Sequence, residues 1–520
     1  VVKFTKKTDR REDATDGAEE FIMYLAIKSD NGSYQKSDRW VERNYSFDEE
    51  RNSHPFKRHV YNALRMKGAK FVFSMSDNQN DAVNECKNIF RNADEIKNKE
   101  KENFLSLLKS EPIKNIIKNE KISSEIKVAY LNAFNSLSNL VIDTKIYCGI
   151  FAGLPWFFQF WARDTLISLK ALLKIKNDFA KKILFDYLSK INNDGRLANL
   201  SGKHDSVKLG CADAHGWLFF RCNALIEEIN KRKEVINSIK KSMNLIKQDK
   251  NANSERVKEY LKKCSSTIQK KESEYHKISY EVESALEKSI NGLSKFHTKD
   301  GFEANEKLET WMDTEFEGDD RGGIRIEIQA LRLNIYQLMF ELTQNQKYRI
   351  MENILKSKIK NRFWNGKILA DGLNDFTIRP NIFIAAYVYQ ELLTDKEWET
   401  CFDNTLKCLW LDWGGLSTID KNNPMFAPLS TGENIKSYHR GDSWFWINNL
   451  AALTLNRINK LKFNKNIKKI IDASTEEILW KGCIGCHSEL SSAKELSSNG
   501  CFNQAWSNAM FIELIDEVFQ

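Results

Sequence analysis

Asp313 and Glu489 stand out among 71 acidic residues by what surrounds them. Asp313 follows Trp311 in "LETWMD", at the end of an apolar stretch. An aromatic wall withdraws water from a carboxyl, raises its pKa and lets it keep a proton near neutral pH. Glu489 lies in a loop of small residues just after His487 and Ser488, where water is expected to reach it. A protonated acid facing an ionised carboxylate is the pair that hydrolyses a glycosidic bond: one protonates the leaving oxygen, the other draws a proton from the attacking water. Two acids so far apart in sequence meet only through tertiary folding. Glu327 is a rival donor because it too stands near Trp311; otherwise it is a ligand of sugar hydroxyls, or a buried partner of Arg325 or another cation.

What else converges on these acids decides between the readings. The segment "GLPWFFQFWARDTLISLKALL" (153–173) sets Trp156, Phe157, Phe158, Phe160 and Trp161 directly before Arg163 and Asp164. Similar junctions of Trp, acid and Gly recur at 308–331, 430–453 and 482–514, and in the shorter "GCADAHGWLFF". Trp156, Trp161, Trp217, Trp311, Trp444, Trp446 and Trp506 fall in these patches. Sugar rings stack their C–H faces on aromatic planes while their hydroxyls need acids, amides and Arg, so the mixture suits a carbohydrate pocket. Any single Trp is more often simply a large core residue. Asp213 either caps its helix or binds sugar; His439 of "YHRGDSWFW" contacts sugar or water, or is a satisfied structural histidine. "CIGCH" (483–487) has the spacing of a covalent haem site or of half a zinc site. No second Cys pair follows at ligand spacing, so it reads as a tight loop with incidental thiols, and neither a metal nor a cofactor is expected.

Helices must position these residues. Only six prolines occur in 520 residues, and apolar residues recur every three or four positions. The pattern predicts helices over 126–142, 164–175, 178–192, 211–229, 325–344, 346–361, 380–394, 442–457, 464–478 and 501–518. Residues 1–84 alternate in short runs such as "FIMYLAIKS" and predict a small β-rich region, leaving 85–520 as the helical catalytic domain. A heptad seam runs through Ile236, Ile239, Met243 and Ile246 and, after the polar turn "DKNANSER", through Val257, Leu261, Cys264, Ile268, Tyr275, Ile278 and Val282. It predicts a protruding antiparallel hairpin over 231–290, either a solvated insertion or a dock for a protein partner. The net charge of +8 is spread along the chain without an Arg-rich aromatic block, so no nucleic-acid partner is indicated. No apolar run reaches the ~18–20 residues of a membrane span. The lack of a signal-peptide core and of a disulfide rhythm among ten cysteines points to the cytoplasm. The chain opens on Val1, as expected of a sequence without its extreme N-terminus.

In this order, "GLPWFFQFWARDTLISL", "TWMD", "IEIQAL", "RPNIF", "GLSTID", "YHRGDSWFW", "SE" and "GCFNQAWS" resemble the glucosidase region of glycogen debranching enzymes, the amylo-α-1,6-glucosidases. The resemblance implies an all-α fold similar to glucoamylases: a six-fold (α/α) toroid with the site on its axis and inversion at the anomeric carbon. It further implies that Asp313 is the general acid, Glu489 the general base, and Arg163 with Asp164 the pair gripping hydroxyls of the terminal glucose. Trp156, Trp161, Asp213, Trp311, Glu327 and His439 are expected as further substrate contacts. Gln329 stands where the family usually has Asn, and "TEFEGDDRGG" is shorter and more acidic than the family's stretch. The implied activity is release of glucose from α-1,6 branch stubs of glycogen or related α-glucans. Alternatives are a glucoamylase-like exo-α-glucosidase acting on α-1,4 or disaccharide substrates, and a non-catalytic glycan-binding relative. No eight-fold strand–helix alternation of a (β/α)8 barrel is legible, so glucosidase activity alone is expected.

Overall fold

The computed structural model describes residues 1–7, 20–144, 148–173, 176–201, 210–248 and 254–519. The chain divides into two compact units, one of residues 1–115 with 431–434, the other of 116–430 with 435–520. In the first, β1 (Val2–Lys7), β2 (Glu20–Ser29) and β5 (Phe71–Ser76) form an antiparallel sheet in the order β1-β2-β5. β3 (Tyr34–Asn44) and β4 (Lys57–Met66) form a separate hairpin whose register slips between Lys36 and Arg39, with α1 (Ser46–Glu50) in the connection. α2 (Gln79–Arg91), capped by the Asn78 side chain, covers one face of the sheet and shares a small core of Ala26, Ala82 and Cys86 with it. α3 (Ala93–Leu108) belongs to this unit too, so it extends past the β-rich region that ends at residue 84 in the sequence reading. α4 (Glu111–Lys118) spans the division.

The second unit is helical. Its helices are α5 (Ser124–Asn139), α6 (Ala162–Leu173), α7 (Asn177–Ser189), α8 (Ala214–Gln248), α9 (Glu255–Phe296), α10 (Ile326–Thr343), α11 (Gln346–Phe363), α12 (Asn381–Val388), α13 (Asp395–Leu409), α14 (Phe445–Trp480) and α15 (Ala505–Phe519). An extended residue, Asn459, breaks α14 into two halves. The packing order shows the architecture: α6 touches α8, α8 touches α10, then α12, the first half of α14, α15, and α15 returns to α6. These six form a closed inner ring and are buried on nearly every side at their N-terminal ends, as α12 and the first three turns of α15 illustrate. α7, α9, α11, α13, the second half of α14 and α5 form the outer layer, each apolar on one face only. The result is a six-fold (α/α) toroid.

The expected helix breaks hold at most points, with two differences. The helix expected over 380–394 ends at Val388, and a further helix, α13, follows it. Its signal is in the sequence: Thr394 and Glu397 make a reciprocal capping box. The 231–290 hairpin insertion is present, and its two arms are continuous with toroid helices, since α8 and α9 each run unbroken from the toroid into it. Ile236, Met243, Leu261, Ile268, Tyr275, Ile278 and Val282 are buried along its seam, whereas Ile239 and Ile246 are exposed. The first part of its polar turn, 249–253, lies outside the described residues.

Candidate active site

Each inner helix receives the chain from a loop, and the residues with chemistry lie in those loops or in the first helical turn. Arg163 and Asp164 open α6, Asp213 directly precedes α8, Asp313 lies ahead of α10, Tyr438 and His439 lie ahead of α14, and Glu489 and Gln504 precede α15. Two-residue strand pairs tie these loops together: 153–154 with 503–504, 160–161 with 200–201, and 443–444 with 490–491. Hydrogen bonds then link the loops around the ring. Arg163 Nε donates to both oxygens of Asp213 at 2.9 and 2.7 Å, and its Nη1 donates to Asp313 Oδ2 at 3.3 Å. Trp311 Nε1 donates to Asn381 Oδ1 at 2.6 Å, Thr314 Oγ1 pairs with His439 Nδ1 at 2.8 Å, and Gln504 Nε2 donates to Asp164 Oδ1 at 3.2 Å. Helix N-termini carry partial positive charge, so a mouth built from them favours carboxylates and sugar oxygens.

The Asp313 side chain is 37% exposed. Burial raises its pKa, and Arg163 only partly counters the effect. The loop that carries it is pinned from behind. Asp319 holds both Arg379 and Arg440, and Arg440 Nη2 also donates to the Thr314 carbonyl at 2.8 Å. Glu489, by contrast, is only 3% exposed. The Tyr438 hydroxyl donates to one of its oxygens, and the Cys501 backbone N–H donates to the other at 2.9 Å. Bulk water therefore does not bathe Glu489, contrary to the sequence expectation; two donors hold it as a carboxylate would be held. Asp164 lies between the two acids electrically. Burial lifts it to about 7, against the pull of Arg163, and both Asp313 and Glu489 push it further up. Tyr438, raised by burial and then by Glu489 and Asp313, keeps its proton. Asp313 and Glu489 thus act on the same two neighbours.

Several expected sugar contacts are placed otherwise. Trp311 is 2% exposed and belongs to a stack with Trp217, Trp444, Trp446 and Trp506, with ring centroids 4.9–6.5 Å apart. These five tryptophans fill the centre behind the mouth, the core role open to any Trp. Glu327 is a buried partner of Arg321 rather than Arg325: Arg321 bridges it to Asp371 and to Thr310. Glu327 is 1% exposed, and both its oxygens accept from Arg321. Asp213 is likewise buried and orients Arg163. His439 stacks on Trp444 at 5.2 Å and, by burial among Arg440, Arg379, Arg321 and Arg163, stays neutral. Trp156 and Trp161 are half-buried at the rim, where Trp156 packs edge-on against Phe502. Gln329 bonds Glu303 through both backbone groups at 2.9 and 2.7 Å, a purely internal role.

Sequence reasoning passed over Tyr438, Gln504, Asp442 and Glu477. Asp442 accepts from the Ser437 and Ser430 hydroxyls, and burial lifts it to about 7. Glu477 anchors the loop that carries Glu489: it accepts from Ser488 Oγ at 2.7 Å, pairs with His487 Nδ1 at 2.6 Å and also accepts from Ser498. His487 Nε2 meets Asn449 at 3.2 Å, so both its ring nitrogens are engaged inside the protein rather than with Cys483 or Cys486. Among the described residues, no cluster of three or more His, Cys, Asp or Glu side chains is set to hold a metal ion.

The profile of the amylo-alpha-1,6-glucosidase family matches residues 72–513. The chain belongs to that family. Membership makes it a glycosidase-type protein. Among solved structures, a bacterial glucoamylase complexed with acarbose is similar in fold, with TM-score 0.59 and 12% identity over 96% of this chain and 73% of that one. The GH63 mannosylglycerate hydrolase of Thermus thermophilus also matches, with TM-score 0.47 and 11% identity over 74% of this chain and 99% of that one. No curated protein matches the chain.

Proposed function

We propose that this protein hydrolyses α-1,6-linked glucose at branch stubs of glycogen or related α-glucans, releasing β-glucose by inversion. One observation carries the reading: a carboxyl with raised proton affinity, Asp313, and a donor-held carboxylate, Glu489, act on common neighbours at the mouth of one toroid. Asp313 protonates the glycosidic oxygen as the bond breaks. A water bound between the sugar and Glu489 attacks the anomeric carbon from the opposite face and passes its proton to Glu489. Arg163, fixed by Asp213, and Asp164, fixed by Gln504, bind hydroxyls of the terminal glucose, with Trp156 and Trp161 at the rim. The family description supports the α-1,6 linkage. All ten cysteines are free, which supports a cytoplasmic location.

The test is to incubate the protein with a limit dextrin bearing single-glucose branches and follow the anomer released by NMR. β-Glucose is the expected first product, and Asp313→Asn and Glu489→Gln each lower kcat by about 10²–10⁴. Glucose release that is unchanged in both variants, or α-glucose as first product, removes the assignment. Release from α-1,4 chains alone assigns the mouth to a different linkage.

A further inference from the structure

Just past the last turn of α14 the chain bends tightly through Gly482, Cys483, Ile484, Gly485 and Cys486, then runs on into His487, Ser488 and Glu489. The Cys486 N–H donates to the Cys483 carbonyl at 2.9 Å, the closing bond of a β-turn. Gly485, its third residue, has φ +87°, the positive value that position takes in a type II turn. Such a turn holds its first and last Cα atoms within about 7 Å, and a disulfide spans Cα separations up to about 6.8 Å. The two thiols already interact, in different surroundings. Cys483 is the one exposed cysteine among the described residues. Cys486 is half-buried, and burial, with Cys483 beside it, pushes its pKa up to about 11. Ser136 of α5 holds the turn: its Oγ donates to the Gly485 carbonyl at 2.6 Å and lies 3.5 Å from Cys486 Sγ. His487 is engaged by Glu477 and Asn449, and no metal-binding cluster is present among the described residues, so thiol–disulfide exchange is the chemistry left to the pair.

We propose that Cys483 and Cys486 form a reversible oxidation site that switches the loop carrying Glu489. The oxidant is a low-molecular-weight disulfide of the glutathione class. Exposed Cys483, as its thiolate, attacks one sulfur of that disulfide and expels the other half as a thiolate, leaving a mixed disulfide on Cys483. Cys486 then gives up its proton, its sulfur attacks Cys483 Sγ, and the second small thiolate leaves. Two protein thiols lose two electrons and two protons; the small disulfide takes up both and becomes two thiols. An excess of small thiol reverses the sequence. To reach Cys483, Cys486 Sγ must turn away from Ser136, and its backbone leads directly to His487 and Ser488. The pull falls on the bonds that align Glu489: His487 to Glu477 at 2.6 Å, Ser488 Oγ to Glu477 at 2.7 Å, and the Gln504 N–H to the His487 carbonyl at 2.9 Å. Misplacing a catalytic group by about 1 Å costs up to about 10²-fold in rate. The effect on activity rests on Glu489 as the general base; the link between the thiols does not.

The test equilibrates the full chain with reduced and oxidised glutathione at several ratios, alkylates the free thiols and maps the peptides by mass spectrometry, with kcat on a short α-1,6 substrate followed in parallel. Under oxidant, Cys483 and Cys486 are expected in one peptide, linked and lighter by two hydrogens. The kcat falls about tenfold and returns on addition of dithiothreitol. Cys483→Ser keeps its kcat at every ratio. Cys486→Ser, unable to resolve the mixed disulfide, carries a glutathione on Cys483. Thiols that stay free at the most oxidising ratio, or that take up glutathione without linking, overturn the inference. So does a linked enzyme with unchanged kcat. A linked pair in a protein that hydrolyses no α-1,6 substrate in either state sinks the catalytic reading but not the thiol pair. Hydrogen exchange over residues 486–491 then decides the switch: exchange that differs between the two states supports it, and identical exchange overturns it.

Discussion

The hydroxyl of Tyr438 is the donor that one oxygen of Glu489 depends on. Removing a hydrogen bond to an ionised carboxylate makes protonation easier. Tyr438→Phe is therefore expected to move the acidic limb of the kcat/KM–pH profile to higher pH and to lower kcat about tenfold. A profile that keeps its acidic limb would show that Tyr438 only packs. Asp213 and Arg163 form a buried pair at 2.7 Å, with side chains 2% and 3% exposed. Asp213→Asn leaves the guanidinium short of a charge partner, at a cost of about 3 kcal/mol that urea unfolding should reveal. Asp442 gives a pH signature. It ionises at about 7 in the folded protein and near the ordinary Asp value of about 4 when unfolded. Between those values the native state keeps a proton that the unfolded state has released. Stability is then highest below this window, falls as pH rises through it, and levels off above about 7. Thermal midpoints of Asp442→Asn between those limits are expected to fall less steeply than those of wild type; identical slopes would show that the group is not protonated as described.

At the scale of elements, the loop that carries Glu489 has almost no room to change. Gly500 has φ +68°, and a methyl group built on it would stand 2.2 Å from Glu489 Oε2. Gly500→Ala pairs backbone strain with a clash against the carboxylate, so kcat should drop at least as far as in Tyr438→Phe, measured on the same substrate. The periodicity of α6, α10, α11 and α15 and the break in α14 were legible in the sequence, because each helix keeps one apolar period or is apolar throughout. α13 was legible from its capping box and still passed over. What could not be read was which face each junction would present. "TWMD", "YHRGDSWFW" and "CADAHGW" were legible as stretches of chain, but tertiary packing alone turned Trp311, Trp444 and Asp213 inward and left Asp313 open. Residues such as Gln504 and Glu477 have no local pattern at all. Their partners are Asp164, far away in sequence, and the loop just beyond α14.

For the whole molecule, the toroid rather than its hairpin is what positions the mouth. Replacing residues 237–271 by a short linker keeps the buried bases of α8 and α9, including Ile229, Tyr275, Ile278 and Val282. The shortened protein should retain kcat on a small substrate; a large loss would show that the hairpin reaches the site. Ring closure has a further consequence. α6 must meet α15, and Asp164 must meet Gln504, across more than three hundred intervening residues. Such long-range contacts form late and slowly. A nascent chain whose residues from Gln504 through α15 are still inside the ribosome has Asp313 but lacks the neighbour that bonds Asp164. Until α15 has docked, the unsealed inner helices expose apolar flanks for chaperones to guard.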